Sequence, residues 1–281
     1  VASSALASSS LSLVHRARRR GSKRSNRQLL IQLLTIAAVL AGWQALTVAG
    51  GSVRELFPSL AAIFGALWRL LTDGELIPHL AVSGYEIGLG AVLGAAPALL
   101  FGLLASLHPY TRRVFQPLML YFSAVPYIII FPVFILAFTI GPNSKLAMAA
   151  ASAFFPMAIN TIAASFAIRP VHVRVGQALR LSKCQLVRHI YLPSMAPGIL
   201  LGLRMAVAVA IVGALLAETK AARAGLGFLV VGAYRNLDMS RMYALLLLVF
   251  ALAALINWLM SLLSARSAAT RERSNVSGFL A

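Results

Sequence analysis

The sequence is poor in what makes a chain water-soluble or catalytic. Only 11% of its 281 residues are charged, against about 25% in an ordinary soluble domain, which excludes a dispersed globular protein. Acid is scarcer still, with seven Asp and Glu against 25 Lys and Arg and a formal net charge of +18. One cysteine, Cys184, can make no internal disulfide, cysteine metal cluster or CxxC redox pair. No HExxH, GxSxG or GxxxxGK[ST] pattern occurs, and no pair of carboxylates falls within an apolar run. His15, His79, His108, His172 and His189 sit in tails or breaks, never at metal-ligand spacing. These gaps exclude catalytic residues, a metal site, a bound cofactor and a P-loop within this chain. There is also no evident internal repeat, which weighs against a transporter built from inverted halves.

What is present is apolar: 60% of the residues are hydrophobic and the mean hydropathy is +0.85. A helix needs about 20 apolar residues to cross a hydrocarbon core of about 30 Å at 1.5 Å per residue. Runs near 29–49, 80–107, 118–140, 146–167, 198–217 and 242–263 meet that length. The expected fold class is therefore all-α, a polytopic protein with six transmembrane helices over 29–265. Residues 1–28, rich in Ser, Ala and Arg, read as a disordered basic cytoplasmic tail, with an organellar targeting segment as the alternative. Residues 266–281 read as a cytoplasmic C-terminal tail.

Between the first two spans, Gly50 and Gly51 end one helix, and Pro58-Ser59 opens a short interfacial one with Ile63, Leu67, Leu70 and Leu71 on one face. The second span carries Gly90, Gly94, Ala98 and Gly102 at four-residue spacing, a stripe that admits a close helical neighbour, and Pro97 is expected to bend it. Pro126 and Pro132 fall in the third span and Pro156 in the fourth, with Gly141-Pro142-Asn143 as the turn between them.

Six spans put both termini on one side. With that side inside, the inner segments hold the seven basic residues of the tail, Arg112, Arg113, the five between Arg169 and Arg188, and Arg266, Arg271 and Arg273. The outer segments hold only Arg54, Arg69, Lys145, Lys220, Arg223, Arg235 and Arg241, so the positive-inside rule selects cytoplasmic termini. The basic residues are split among four loops with no aromatic interleaving, which argues for a lipid bilayer and against nucleic acid as the partner.

The longest polar interval, 169–195, contains apolar Val171, Val175, Ala178, Leu179 and Leu186 at helical spacing, with Arg174, Gln177, Arg180 and Arg188 across from them. That pattern reads as a surface helix presented to the cytoplasm or lying on the bilayer. Its order of residues, closing on Ile190, Leu192 and Pro193 and followed by Ala196-Pro197-Gly198, resembles the EAA loop of ATP-binding-cassette importer permeases. In that register Arg174-Val175-Gly176 stands on Glu-Ala-Ala and Arg180 on the loop glycine, so the front half departs from the family. Leu56-Phe57-Pro58-Ser59, Phe131-Pro132, Phe154-Phe155-Pro156, Ala217-Glu218 and Gly225-Leu226-Gly227 are similar to the nitrate, sulfonate and taurine branch.

The resemblance implies a type I importer permease of the bacterial inner membrane, working as a homodimer. Its implied partners are two cytoplasmic ATPase subunits, which would hold ATP and magnesium, and a periplasmic solute-binding protein. It assigns ATPase docking to Arg174, Gln177, Ala178, Arg180, Leu181, Ser182, Lys183, Ile190, Leu192 and Pro193. It implies import of a small solute, an organic or inorganic anion of the sulfonate, taurine or nitrate kind. The competing reading is a self-sufficient secondary transporter or channel. Candidates for the translocation pathway are the ionisable Arg204, Glu218 and Glu86 and the mid-membrane Asn160 and Thr161. Sequence position puts both glutamates at the outer interface.

Overall fold

A computed structural model describes residues 28–48 and 56–277 of the chain, with side chains through residue 262, and all regular structure in that range is helical. Two compact units are distinguished, one ending at Phe64 and one starting at Gly65.

In the first unit, α1 (Gln28–Val48) has the length and composition of a bilayer span. Gly50 and Gly51, expected to end it, lie outside the described residues. The Trp43 indole donates to the Pro58 carbonyl at 3.1 Å and meets the Phe57 ring edge-on at 5.2 Å. Ser59 then caps α2 (Leu60–Thr72), a helix that begins in the first unit and continues past Phe64 into the second, its hydroxyl accepting from the Ala62 N–H at 3.2 Å. The expected amphipathic helix is present with a shifted face. Ile63, Ala66 and Leu70 are buried while Leu71 is 56% exposed, because positions 63, 66 and 70 follow the helical period and 71 lies a further 100° round.

The second unit is organised by three helices, α3 (Leu76–Ser106), α6 (Pro142–Ser165) and α9 (Leu192–Ala221), with α6 packed against both of the others. Hydrophobicity does not drive helices together in lipid, so close van der Waals approach has to, and the glycines supply it. A Cβ on Gly90 would lie 2.5 Å from that of Ala149, one on Gly94 would collide with the Ala150 carbonyl, and one on Gly102 would lie 2.7 Å from Thr161. From the other side, Gly198, Gly202 and Gly213 of α9 meet Ala164, Asn160 and Ser152 of α6 equally tightly. Alanines 91, 95, 98, 149, 153, 158, 206, 210 and 214 fill the core between these seams.

The third expected span, 118–140, is not a single helix. α4 (Pro109–Ser123) and α5 (Tyr127–Phe138) meet at an angle of 86°. Pro126 carries no N–H, and its ring disfavours helical backbone at Val125, so α4 cannot propagate through it. Among the described residues five helices thus have the length and composition of a span, or six when the bent pair is counted as one. α7 (Pro170–Ala178), α8 (Lys183–Leu186) and a π-turn (Val187–Tyr191) lead into α9. α10 (Leu226–Arg235) and α11 (Met239–Ser277) follow, α11 continuing helically through much of the expected tail.

Gly94→Val should lower the thermal midpoint of the detergent-solubilised chain by several degrees, since overpacking costs about 1–3 kcal/mol or more. Gly88→Ala, which meets nothing within 4 Å, should leave the midpoint unchanged or raise it. Equal losses in the two variants would disprove the seam.

Candidate functional site

The polar interval folds as a helical hairpin. α7 starts on Pro170, whose missing N–H costs nothing at that position, and ends in a Schellman motif. The Leu181 N–H reaches the Gly176 carbonyl at 3.0 Å and the Arg180 N–H reaches that of Gln177 at 3.0 Å. This turn places Arg180 at φ 53°, the left-handed region that costs a side-chain-bearing residue about 1–2 kcal/mol. The guanidinium-bearing residue thus occupies the conformation for which glycine is suited.

The second arm opens with a capping box. The Ser182 hydroxyl accepts from the Gln185 N–H at 3.3 Å while the Gln185 side chain accepts from the Ser182 N–H at 2.8 Å. The π-turn at Val187–Tyr191 lies just before Pro193, whose ring would clash with the carbonyl of residue 189 in a regular helix.

The arms close on a small residue. A Cβ on Gly176 would be 2.7 Å from the terminal carbons of both Leu186 and Ile190 and 3.4 Å from that of Leu181. Only Gly176 is buried on α7, and Val171, Val175 and Leu179 are 56%, 53% and 69% exposed. The sequence pattern joined Leu186 to that stripe as one helix. In the structure the turn at Arg180 separates them, and the stripe of α7 is exposed. Arg174, Gln177, Ala178, Arg180, Ser182 and Lys183 are exposed, as are Leu192 and Pro193, whereas Leu181 and Ile190 are partly covered inside the hairpin.

At the opposite end of the bundle lies a buried polar cluster. Glu86 is fully buried and Glu218 1% exposed, where sequence position suggested an interface. α3 presents His79, Ser83 and Glu86 along one face, α6 presents Lys145 and α9 presents Glu218. Lys145 donates to Glu86 Oε1 at 3.4 Å. Glu218 accepts from the Ser83 hydroxyl and from the Gly227 N–H, each at 2.6 Å. Ser83 in turn accepts from the Leu226 N–H at 2.8 Å, and His79 Nδ1 from the Gly225 N–H at 3.0 Å.

Three successive N–H groups entering α10 are thereby satisfied, with a carboxylate at the positive end of the helix. Gly225 lies at φ 116°, and a Cβ there would be 2.5 Å from the Glu218 carboxyl carbon. The Ala217-Glu218 and Gly225-Leu226-Gly227 stretches, separate in the sequence, are therefore one contact. The pattern 79, 83, 86, 90, 94 continues the small-residue stripe upward, and that continuity was the available signal for His79 and Ser83.

The remaining pathway candidates are placed differently. Asn160 Nδ2 donates to the Pro156 carbonyl and Thr161 Oγ1 to that of Met157, each at 2.8 Å and each within α6. Both residues sit under the glycines of neighbouring helices. Arg204 donates through Nε to Asn257 of α11 at 2.6 Å, beside a groove of about 250 Å³ lined mainly by apolar side chains of α9 and α11. Asn257 was not singled out in the sequence, where a lone amide in an apolar run has no visible partner. The exposed end of the bundle near the polar cluster also carries the Arg241–Glu75 ion pair at 2.7 Å.

Comparison with known proteins follows the same regions. The sequence model of the family described as binding-protein-dependent transport system inner membrane component matches residues 98–268. An aliphatic sulfonates transport permease protein of Bacillus subtilis is 30% identical over 212 residues, covering 75% of this chain and 77% of that protein. The taurine transport system permease protein of Escherichia coli is 30% identical over 217 residues, 74% of this chain and 78% of its own length. The riboflavin transport system permease protein of Chloroflexus aurantiacus is 29% identical over 198 residues, 70% and 74% of the two chains.

Two substitutions test the geometry. Glu218→Ala leaves the Gly227 N–H unpaired in the interior and takes from the Ser83 hydroxyl its acceptor, and should cost about 1–3 kcal/mol for each stranded donor, read as a fall in thermal midpoint or loss of folded protein. In the hairpin, Gly176→Ala should be tolerated, because only flexible side-chain ends must yield, while Gly176→Phe should expose the hairpin to limited proteolysis. Equal protease resistance of both Gly176 variants would refute the packing described.

Proposed function

This chain belongs to the family of binding-protein-dependent transport inner-membrane components, the permeases of ATP-driven importers, and we propose that its solute is a small organic anion of the aliphatic sulfonate or taurine kind. The permease assignment carries no covalent chemistry, and the multi-pass helical structure agrees with it. Two relatives named for sulfonate-bearing solutes support the choice of cargo. So do the exposed cations Lys220, Arg223 and Arg235, close in sequence to Glu218 and to α10.

The observation that carries the proposed mechanism is the outward stripe of Val171, Val175 and Leu179 on a hairpin with fixed internal geometry. A solvent-facing row of aliphatic side chains on a rigid two-helix unit is suited to a groove on another protein. We assign that groove to a separate ATPase, one on each copy of a homodimeric permease, holding ATP and magnesium. Arg180 and Lys183 at the rim supply charge, where the family's glutamate is replaced by Arg174. The exposed Arg180 and Lys183 make an acidic groove surface the fitting counterpart.

In this scheme the hairpins lie in the cytoplasm with both termini, a placement supported by the excess of Lys and Arg at that end. A periplasmic binding protein delivers solute at the polar-cluster end. ATP binding then has to bias an inward-open to outward-open equilibrium by about 5.5 kcal/mol to move it from 1:99 to 99:1.

Proteoliposomes containing the permease with its ATPase and binding protein should take up taurine or a short alkanesulfonate only when ATP is supplied. Val175→Asp together with Leu179→Asp should abolish uptake and ATPase stimulation while the permease remains folded. Uptake by this chain alone under an ion gradient would reject the proposal.

A further inference from the structure

The hairpin end of the bundle has cations and no counter-ion among the residues whose side chains are described. From Glu86 to Glu218 the sequence contains no other acidic residue. The described acids Asp73, Glu75, Glu86, Glu218 and Asp238 all lie toward the other end, and the ion pairs there, Lys145–Glu86 and Arg241–Glu75, are the two found among the described residues.

Arg112, at the start of α4, is held firmly all the same. Its Nη1 donates to the Ser165 carbonyl in the last turn of α6 at 3.0 Å, and its guanidinium carbon lies 4.2 Å from the centroid of the Phe166 ring. Its Nε is buried with no acceptor among the described residues. A fixed guanidinium with an unfilled donor is a costly thing to keep beside an apolar bundle.

A cavity of about 250 Å³ explains where the missing partner fits. It is lined by Arg112, by Arg174 of α7, and by Ser106, Val173 and Tyr191 among others. Two guanidinium groups thus share one opening between the bundle and the hairpin, and no hydrogen bond or ion pair among the described residues engages Arg174. Like charges facing one cavity repel unless an anion sits between them. Guanidinium pairs match tetrahedral oxyanions, donating two N–H groups to two oxygens.

The depth of the opening selects among such anions. It lies where the apolar run of α3 gives way at His108-Pro109 and where α6 ends, the level at which an apolar span meets the headgroup layer. Against the Arg112 guanidinium, Phe166 is 45% exposed, a surface for an acyl chain.

We propose that the cleft between Arg112 and Arg174 binds a tetrahedral oxyanion, the phosphodiester of an anionic membrane phospholipid, and that this lipid joins α7 to the bundle. The inference rests on the chain's membrane-spanning fold and is independent of which solute is carried. A lipid in this position bridges the moving hairpin and the helices it moves, so the lipid composition of the membrane sets how stiffly the two are joined.

The test uses the purified full chain in neutral detergent, titrated with phosphatidylglycerol, phosphatidylcholine or inorganic phosphate, with bound lipid counted by native mass spectrometry and stability read by thermal unfolding. Phosphatidylglycerol should bind at least tenfold tighter than phosphatidylcholine and raise the midpoint, and the gain should shrink as salt is added. Arg174→Gln, at an exposed position that the fold does not need, should weaken phosphatidylglycerol binding about tenfold, as should Arg112→Gln. Arg113→Gln, on the same helix and exposed, should change it less than twofold. Unchanged lipid affinity in Arg174→Gln and Arg112→Gln would overturn the proposal, as would equal affinity for the two lipids. Displacement of the lipid by inorganic phosphate or taurine at low millimolar concentration would assign the cleft to a free oxyanion and overturn the lipid reading. Transport assays play no part in these outcomes, so they stand or fall apart from the assignment of cargo.

Discussion

Everything in the larger unit depends on how closely α6 is approached from two sides. Glycines of α3 and of α9 meet its backbone and small side chains at distances that no Cβ would permit. In a solvent as apolar as the side chains themselves, there is little to gain from burying leucine, and contact dispersion between closely set backbones takes over. That is why the core is alanine and glycine while many leucines, isoleucines and phenylalanines point outward. The inversion of the usual arrangement is the structural signature of lipid as the surrounding medium.

The second constraint is the separation of charge along the bundle. Described carboxylates gather at one end and are consumed by internal contacts: Lys145, the entry of α10, and Arg241. The other end keeps its cations without described acids to neutralise them. One end therefore holds its carboxylates in internal contacts, and the other leaves Arg112 Nε without an acceptor among the described residues. This polarity of the molecule fits a machine with different partners on its two sides.

How much of this could be read beforehand differs by feature. Long apolar runs are a one-dimensional property, and the spans emerged close to their observed limits. The small-residue stripe was equally legible, because a repeat of four maps directly onto one helical face. Hydropathy has no direction, however, so the 86° bend at Pro126 was hidden inside a run of ordinary length. The polar cluster was illegible for another reason: Glu86, Lys145 and Glu218 are separated by 59 and 73 positions, and only packing brings them together. The turn at Arg180 stood between these cases. The resemblance placed a glycine there, and the backbone takes up the conformation that glycine favours even though arginine occupies it.

One feature of α9 reaches beyond the packing it takes part in. From Lys183 to Ala221 the chain forms an unbroken helical rod of 39 residues, about 58 Å long at the ordinary rise. One tip belongs to the hairpin and the other carries the carboxylate that holds α10. A hydrogen-bonded helix compresses very little along its axis, so a shove at the first tip arrives at the far tip almost undiminished, in the manner of a pushrod. The π-turn near its base and Pro197 further along are compliant links along that shaft, places where a thrust could be traded for a twist.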